Sequence, residues 1–242
     1  MRALIALIII LSANLPLAVA GQLQKISQID QPAVAHQPNQ ALSSPTSLNQ
    51  PPNQSNGIFS DEACSLCSSG QQVLAENFTV VSDDPNLFLE QITLWGGYYS
   101  SDTPLDPDDF DILIHSDSSG SPGAVICTET GITPASRTTT GVILFGVHEY
   151  QFTLDLATPC RLSAGTYWLE IYNNSGSSTD DWFWETGNLD ASNGIEGNAW
   201  ATAAPGSAWI IQGGNLAVQL QLVSRPFPWP MFLPAMKDNN KE

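Results

Sequence analysis

Five carboxylates crowd the ten residues from 102 to 111 in the stretch SDTPLDPDDFD: Asp102, Asp106, Asp108, Asp109 and Asp111. Carboxylate oxygens at this density suit a hard cation, because calcium takes about 6–8 oxygen ligands and loops at the edges of β-sandwiches often supply them. Asp106, Asp108 and Asp109 have the right character but neither the spacing nor the glycine of an EF-hand loop. Calcium is therefore the one cofactor the sequence suggests, and none is required. A second acidic turn, Asp180-Asp181, lies just before Trp182.

Other residues could carry chemistry of a different kind. Glycoside hydrolysis needs two carboxyl groups about 5–10 Å apart across a cleft, and Asp111, Glu170 and Glu185 are the acids to weigh for it. Glu170 and Glu185 each stand singly on an alternating stretch, where a carboxylate is expected to face water. Of the three histidines, His36 lies in a polar leader, while His115 and His148 are expected as solvated strand or loop residues. No G-x-S-x-G or H-E-x-x-H motif occurs, and glycines sit where turns are expected rather than in phosphate loops. The reading is of a non-catalytic chain.

The aromatic stretch 162–187 poses a choice. Trp168, Tyr172, Trp182 and Trp184 could form a platform on which sugar rings stack, or they could be core. Burying one Trp removes about 150–250 Å² from water, roughly 4–6 kcal/mol as an upper figure. A domain of this size cannot leave all seven Trp outside. Alternation puts Tyr167, Leu169 and Ile171 inward, with Trp168 and Tyr172 outside or beneath a neighbouring loop. Trp182 and Trp184 share one face and Phe183 takes the other, so one set is expected nearer solvent.

Four cysteines, Cys64, Cys67, Cys127 and Cys160, suggest disulfides in an exported chain. The favoured pairing is Cys127–Cys160, leaving Cys64–Cys67 as a local loop. A redox role for Cys64-Ser-Leu-Cys67 lacks a βαβ context, and a four-cysteine zinc site lacks a second close pair.

These residues need elements to hold them. Period-two alternation recurs at Phe78/Val80, Ile92/Leu94, Phe110/Ile112/Ile114, Tyr150/Phe152/Leu154/Leu156, Tyr167/Leu169/Ile171 and Leu216/Val218/Leu220/Leu222. That is the signature of half-buried strands. Turn signals separate the runs: GG at 96–97, SDSSGSPG at 116–123, NNSGSSTDD at 173–181, AAPGS at 203–207 and QGG at 212–214. No window shows a helical stripe. The fold class is all-β: about nine strands in an antiparallel two-sheet β-sandwich, jelly-roll-like, over 58–224. Residues 21–57 are rich in Gln, Asn, Ser and Pro and read as a disordered spacer. Residues 225–242 hold four prolines among aromatics and read as an extended tail or a recognition tail.

The first 20 residues, MRALIALIIILSANLPLAVA, have the charge, apolar run and Ala18-Val19-Ala20 end of a secretory signal peptide. The run is too short for a membrane span, and no transmembrane segment is expected after cleavage. Losing Arg2 moves the formal charge from −17 to −18. So acidic a chain repels nucleic acid. Expected partners are a polysaccharide or a surface protein, and the expected location is secreted or at the cell surface.

The sequence F-T-V at 78–80, D-F-D-I-L-I-H-S-D-S-S-G-S-P-G at 109–123, L-S-A-G-T-Y-W-L-E-I at 162–171 and W-F-W at 182–184 resembles bacterial secreted β-sandwich domains of uncharacterised function. The resemblance spans roughly 75–223. It implies a sandwich fold and export, and it carries no catalytic residues. A more distant likeness is to pre-peptidase-type and carbohydrate-binding sandwiches.

Overall fold

The structure, a computed structural model, describes residues 47–175, 180–188, 198–201 and 206–225. The proposed signal peptide, most of the spacer and the tail from residue 226 lie outside the described residues. Among the described residues there are thirteen strands: β1 (Ser47–Gln50), β2 (Pro52–Phe59), β3 (Val73–Val80), β4 (Leu87–Tyr99), β5 (Phe110–Asp117), β6 (Pro122–Ile132), β7 (Ser136–Leu144), β8 (Val147–Leu162), β9 (Gly165–Asn173), β10 (Asp181–Gly187), β11 (Asn198–Ala201), β12 (Ile210–Gln212) and β13 (Val218–Ser224). None of the described residues is helical.

The strands form two antiparallel sheets. In sheet B the order is β12-β11-β3-β9-β5-β6. Sheet A is built around the long β4. One edge of β4 pairs with β8, which carries β7. The other edge is shared: Leu87–Leu94 pairs with β13, which carries β1, and Gly96–Tyr99 pairs with β10, which carries β2. The two inner faces pack as a sandwich.

The alternating runs supply that interior. Leu74, Phe78 and Val80 of β3, Phe110, Ile112 and Ile114 of β5, and Leu169 and Ile171 of β9 meet Ile92, Leu94, Phe152, Leu154, Val218, Leu220 and Leu222 from sheet A. Phe110, Phe152 and Trp182 close one end with edge-on ring contacts at centroid distances of 5.1–6.2 Å, a geometry that aligns ring edges with ring faces. Cys127–Cys160 joins β6 of sheet B to β8 of sheet A, with Cα atoms 6.0 Å apart, and Cys64 pairs with Cys67.

Two expectations about boundaries change. The spacer assigned to 21–57 ends earlier, since Ser47–Gln50 and Pro52–Phe59 are strands. Their sequence is polar because they are edge strands with few inward positions, so no alternation marks them. Gly96-Gly97 is not a turn but lies within β4. A Cβ at Gly96 would sit 2.1 Å from the Phe183 carbonyl oxygen, so the pair of glycines lets β10 close against β4. The Thr-rich β7 was not legible as a strand, because nearly all of it faces solvent.

Candidate functional site

The outer face of sheet B gathers more polar side chains than its alternation suggests. On β5, Asp111, Leu113, His115 and Asp117 point outward. On β9 next to it, Trp168, Glu170 and Tyr172 do the same. The register pairs His115 with Trp168, Leu113 with Glu170 and Asp111 with Tyr172. Each polar group finds a partner across the strands. The Trp168 indole donates to Asp117 Oδ1 at 2.9 Å, and the Tyr172 hydroxyl donates to Asp111 Oδ2 at 3.0 Å. His115 Nε2 lies 2.6 Å from Glu170 Oε2, and Nδ1 lies 3.1 Å from the Gly123 carbonyl.

A ring protonated on both nitrogens can donate to the Gly123 carbonyl and to Glu170 at once. Burial works against its charge, but the Glu170 and Gly123 acceptors outweigh burial and hold the imidazole above its ordinary value. Trp209 roofs this row. Its ring meets His115 edge-on at 5.9 Å and packs against Trp168 with Ala75, and against Tyr172 with Val73. His115 and Glu170 are consequently 5% and 1% exposed. The solvated positions expected for both are corrected: a loop returning over the sheet dries them, and sequence alternation cannot report a loop.

The aromatic platform does not form. Trp168 and Tyr172 lie beneath Trp209, while Trp182 and Trp184 are 0% exposed inside the sandwich. Nor does Phe183 take the solvent side. It packs on the outer face of sheet A against Phe59, Cys64, Leu144 and Val147. Those covering residues are far away in sequence, so local alternation cannot show that both sets are buried.

The acidic loop also disperses. Asp102 accepts from the His148 backbone N–H at 3.1 Å and pairs with the His148 ring. Asp108 is buried, held by the Tyr98 hydroxyl and by Arg137 at 2.6 Å. Asp111 belongs to the sheet B row, where its Oδ1 also takes the Gly131 N–H at 2.8 Å. Asp106 and Asp109 remain outside these pairings. Among the described residues no three His, Cys, Asp or Glu side chains converge as a metal cluster would. The Asp180-Asp181 turn is structural: Asp180 accepts from the backbones of Ser100, Ser101 and Thr103, and Asp181 from Ser65 and Leu66.

The hydrolase acids are likewise split. Asp111 and Glu170 lie on sheet B, and Glu185 lies on the outer face of sheet A, where it is 0% exposed. There it meets a second buried acid that sequence reasoning passed over, Glu149 of β8. Its only signal was a glutamate two residues after Val147 on the same strand face. A dent between Leu48, Gln50, Asn77, Phe78, Val218 and Leu220 has a cavity volume of about 10 Å³, room for about one water and far below the roughly 300 Å³ where small-molecule sites begin. No family model, curated protein or solved structure matches the chain. Sheet B thus offers a covered His115–Glu170 pair, in which Glu170 Oε1 has no hydrogen-bond partner, and sheet A a covered pair of acids.

Proposed function

We propose that the chain is an exported, non-catalytic β-sandwich that acts by binding a surface protein, or as a structural component, at or outside the cell surface. The observation that carries this reading is where apolar surface remains open. Val125 and Ile126 of β6, Ile143 of β7, Phe145 in the β7–β8 turn, and Ile210 and Ile211 of β12 are the exposed large hydrophobics among the described residues. All but Phe145 lie on strands at a sheet edge, and Phe145 closes the hairpin of one such strand. Edge strands present unpaired N–H and C=O groups, and apolar side chains beside them favour strand addition or protein contact over catalysis. The two disulfides and the absence of a long apolar helix among the described residues are compatible with an extracellular setting.

The carbohydrate reading loses its support once its four rings are covered. Among the described residues, the acids weighed for hydrolysis do not face each other across an open groove. Labelled full-length protein should be retained on intact cells or envelope fragments, with retention falling at least tenfold in Ile126→Asp/Ile143→Asp at unchanged melting temperature. Equal retention by that variant, or sugar release abolished by Glu170→Gln or Glu185→Gln, would overturn the proposal.

A further inference from the structure

The strands β7-β8-β4-β10-β2 form one stretch of sheet A, with β7 and β2 at its opposite ends. Yet β2 and β7 also approach each other, with Cα atoms within 8 Å. This part of the sheet therefore curls so that its two ends come near without pairing, and it encloses a small second core of Phe59, Cys64, Leu144, Val147 and Phe183. Gly57 and Gly97 make room for it: a Cβ at either would lie within 2.8 Å of the Phe183 ring.

Glu149 and Glu185 are sealed in the same curl. Both are 0% exposed. In the register, Tyr150 and Trp184 both oppose Gly96 of β4, which sets Glu149 level with Gly97 and Glu185 level with Trp95 on the same outer face, so the two side chains approach diagonally across the side-chain-free Gly97. Residues 53–56 of β2 bulge out of the ladder between Gly57 and Pro52, and the Gln54 N–H reaches Glu185 Oε1 at 2.6 Å. Glu185 Oε2 and both oxygens of Glu149 have no donor.

The described groups around the pair supply no counter-charge. From β4 come Trp95, Gly97 and Tyr99, and from the β2 bulge Asn53, Gln54 and Asn56. On β10 the Asp181 carboxylate is taken by Ser65 and Leu66, and Asp61 at the end of β2 by Ser175 and the Trp182 N–H. His148 of β8 is engaged by Asp102, and Arg137 of β7 by Asp108 and the Leu105 carbonyl. Two bare carboxylates facing each other here would be unscreened and uncompensated. One proton between them converts repulsion into a hydrogen bond.

We propose that Glu149 and Glu185 form a proton-binding site that fastens this curl, with one shared proton holding β2 against β7 at acid and neutral pH and its loss at mildly alkaline pH releasing them. Burial first, and the Glu149 carboxyl second, push Glu185 up to about 8, against the pull of the Gln54 N–H. The unfolded chain gives up that proton near the ordinary glutamate value of about 4.5, so the folded state holds one more proton between these limits. The stabilisation is complete below about 4.5 and is lost as the pH rises through about 8. Release would uncover Phe59, Leu144, Val147 and Phe183 and leave the main sandwich interior closed.

The test compares the full chain with Glu149→Gln and Glu185→Gln, whose amides donate where an acid needs its proton. Between pH 5 and pH 8.5 the wild type should lose on the order of 5–10 °C in melting temperature more than either variant. Asp61, Glu76 and Asp108, also raised by burial, titrate in all three proteins and cancel. At pH 8.5, amide exchange corrected for its intrinsic rate should accelerate in 52–57 and 140–149 of the wild type alone. Parallel melting curves would overturn the proposal. So would calcium raising the pH 8.5 melting temperature of the wild type but not of Glu149→Gln, because a cation would then be the occupant. If the variants do not fold, infrared spectroscopy of the wild type decides: a carboxylic acid carbonyl band should disappear between pH 7 and pH 9, and a band unchanged over that range sinks the idea.

Discussion

The two outer faces of the sandwich each bury a glutamate from an alternating strand, and they solve the problem in opposite ways. On sheet B, Glu170 faces the His115 ring 2.6 Å away, a group that can carry the opposite charge. On sheet A, Glu185 meets another acid, and only a proton makes the contact tolerable. The covers differ as well. Trp209 lies over sheet B as a separate loop residue, whereas sheet A covers itself by curling. A buried carboxylate is thus not one kind of object: its neighbours decide whether it is an ion or an acid.

The largest effect expected from breaking this contrast is at Glu170. Glu170→Ala strands the His115 imidazolium and should cost about 3–5 kcal/mol in urea unfolding at pH 6. A His115→Leu/Glu170→Met pair should recover most of that loss, since apolar replacement of a buried ion pair is often neutral or stabilising. If Glu170→Ala costs no more than a surface substitution, the pair is not a buried ion pair and the two faces do not differ as described.

Removing the Cys127–Cys160 bridge comes next. With a sequence separation of 33 between the cysteines, the loss should be about 3–4 kcal/mol. Because this bridge ties β6 to β8, it loads both faces, so the contrast between Glu170 and Glu185 should survive in Cys127→Ala/Cys160→Ala. Denaturant melts of the glutamate variants in that background check it, and a contrast that vanished would show that the sheets are not independent.

The smallest effect is in the pH dependence of His115. Its pKa is raised on folding, so its contribution is fully present below the ordinary histidine value near 6.5 and is lost as the pH rises through the raised one. Both faces therefore favour the low-pH side, but in different windows. Stability profiles of His115→Asn/Glu170→Gln should lack the later part of the fall, and those of Glu185→Gln the earlier part. Coincident profiles would erase the distinction.

How much of this was legible varies by element. The inward residues of β4, β5, β8, β9 and β13 could be read because each strand has one dry face, and a period of two records that directly. β1, β2 and β7 could not, since an edge strand with polar residues on both faces leaves no period. The cysteine pairing followed from an even count and from strand placement. The candidate site was legible only as residue types. Trp168, Glu170 and Tyr172 were placed on the correct strand face, but that face was expected nearer to water than it is.

Local sequence determined which side of its strand each residue occupies, because side-chain alternation is fixed by backbone geometry. It also determined that the chain would fold as two sheets around one apolar interior. The tertiary structure alone decided what lies above each outer face: Trp209 over His115 and Glu170, and β7 against β2 over Glu149 and Glu185. Those covers come from segments distant in the chain, and the charge state of a carboxyl group depends on the water and counter-charges within a few ångströms of it, wherever in the sequence they originate.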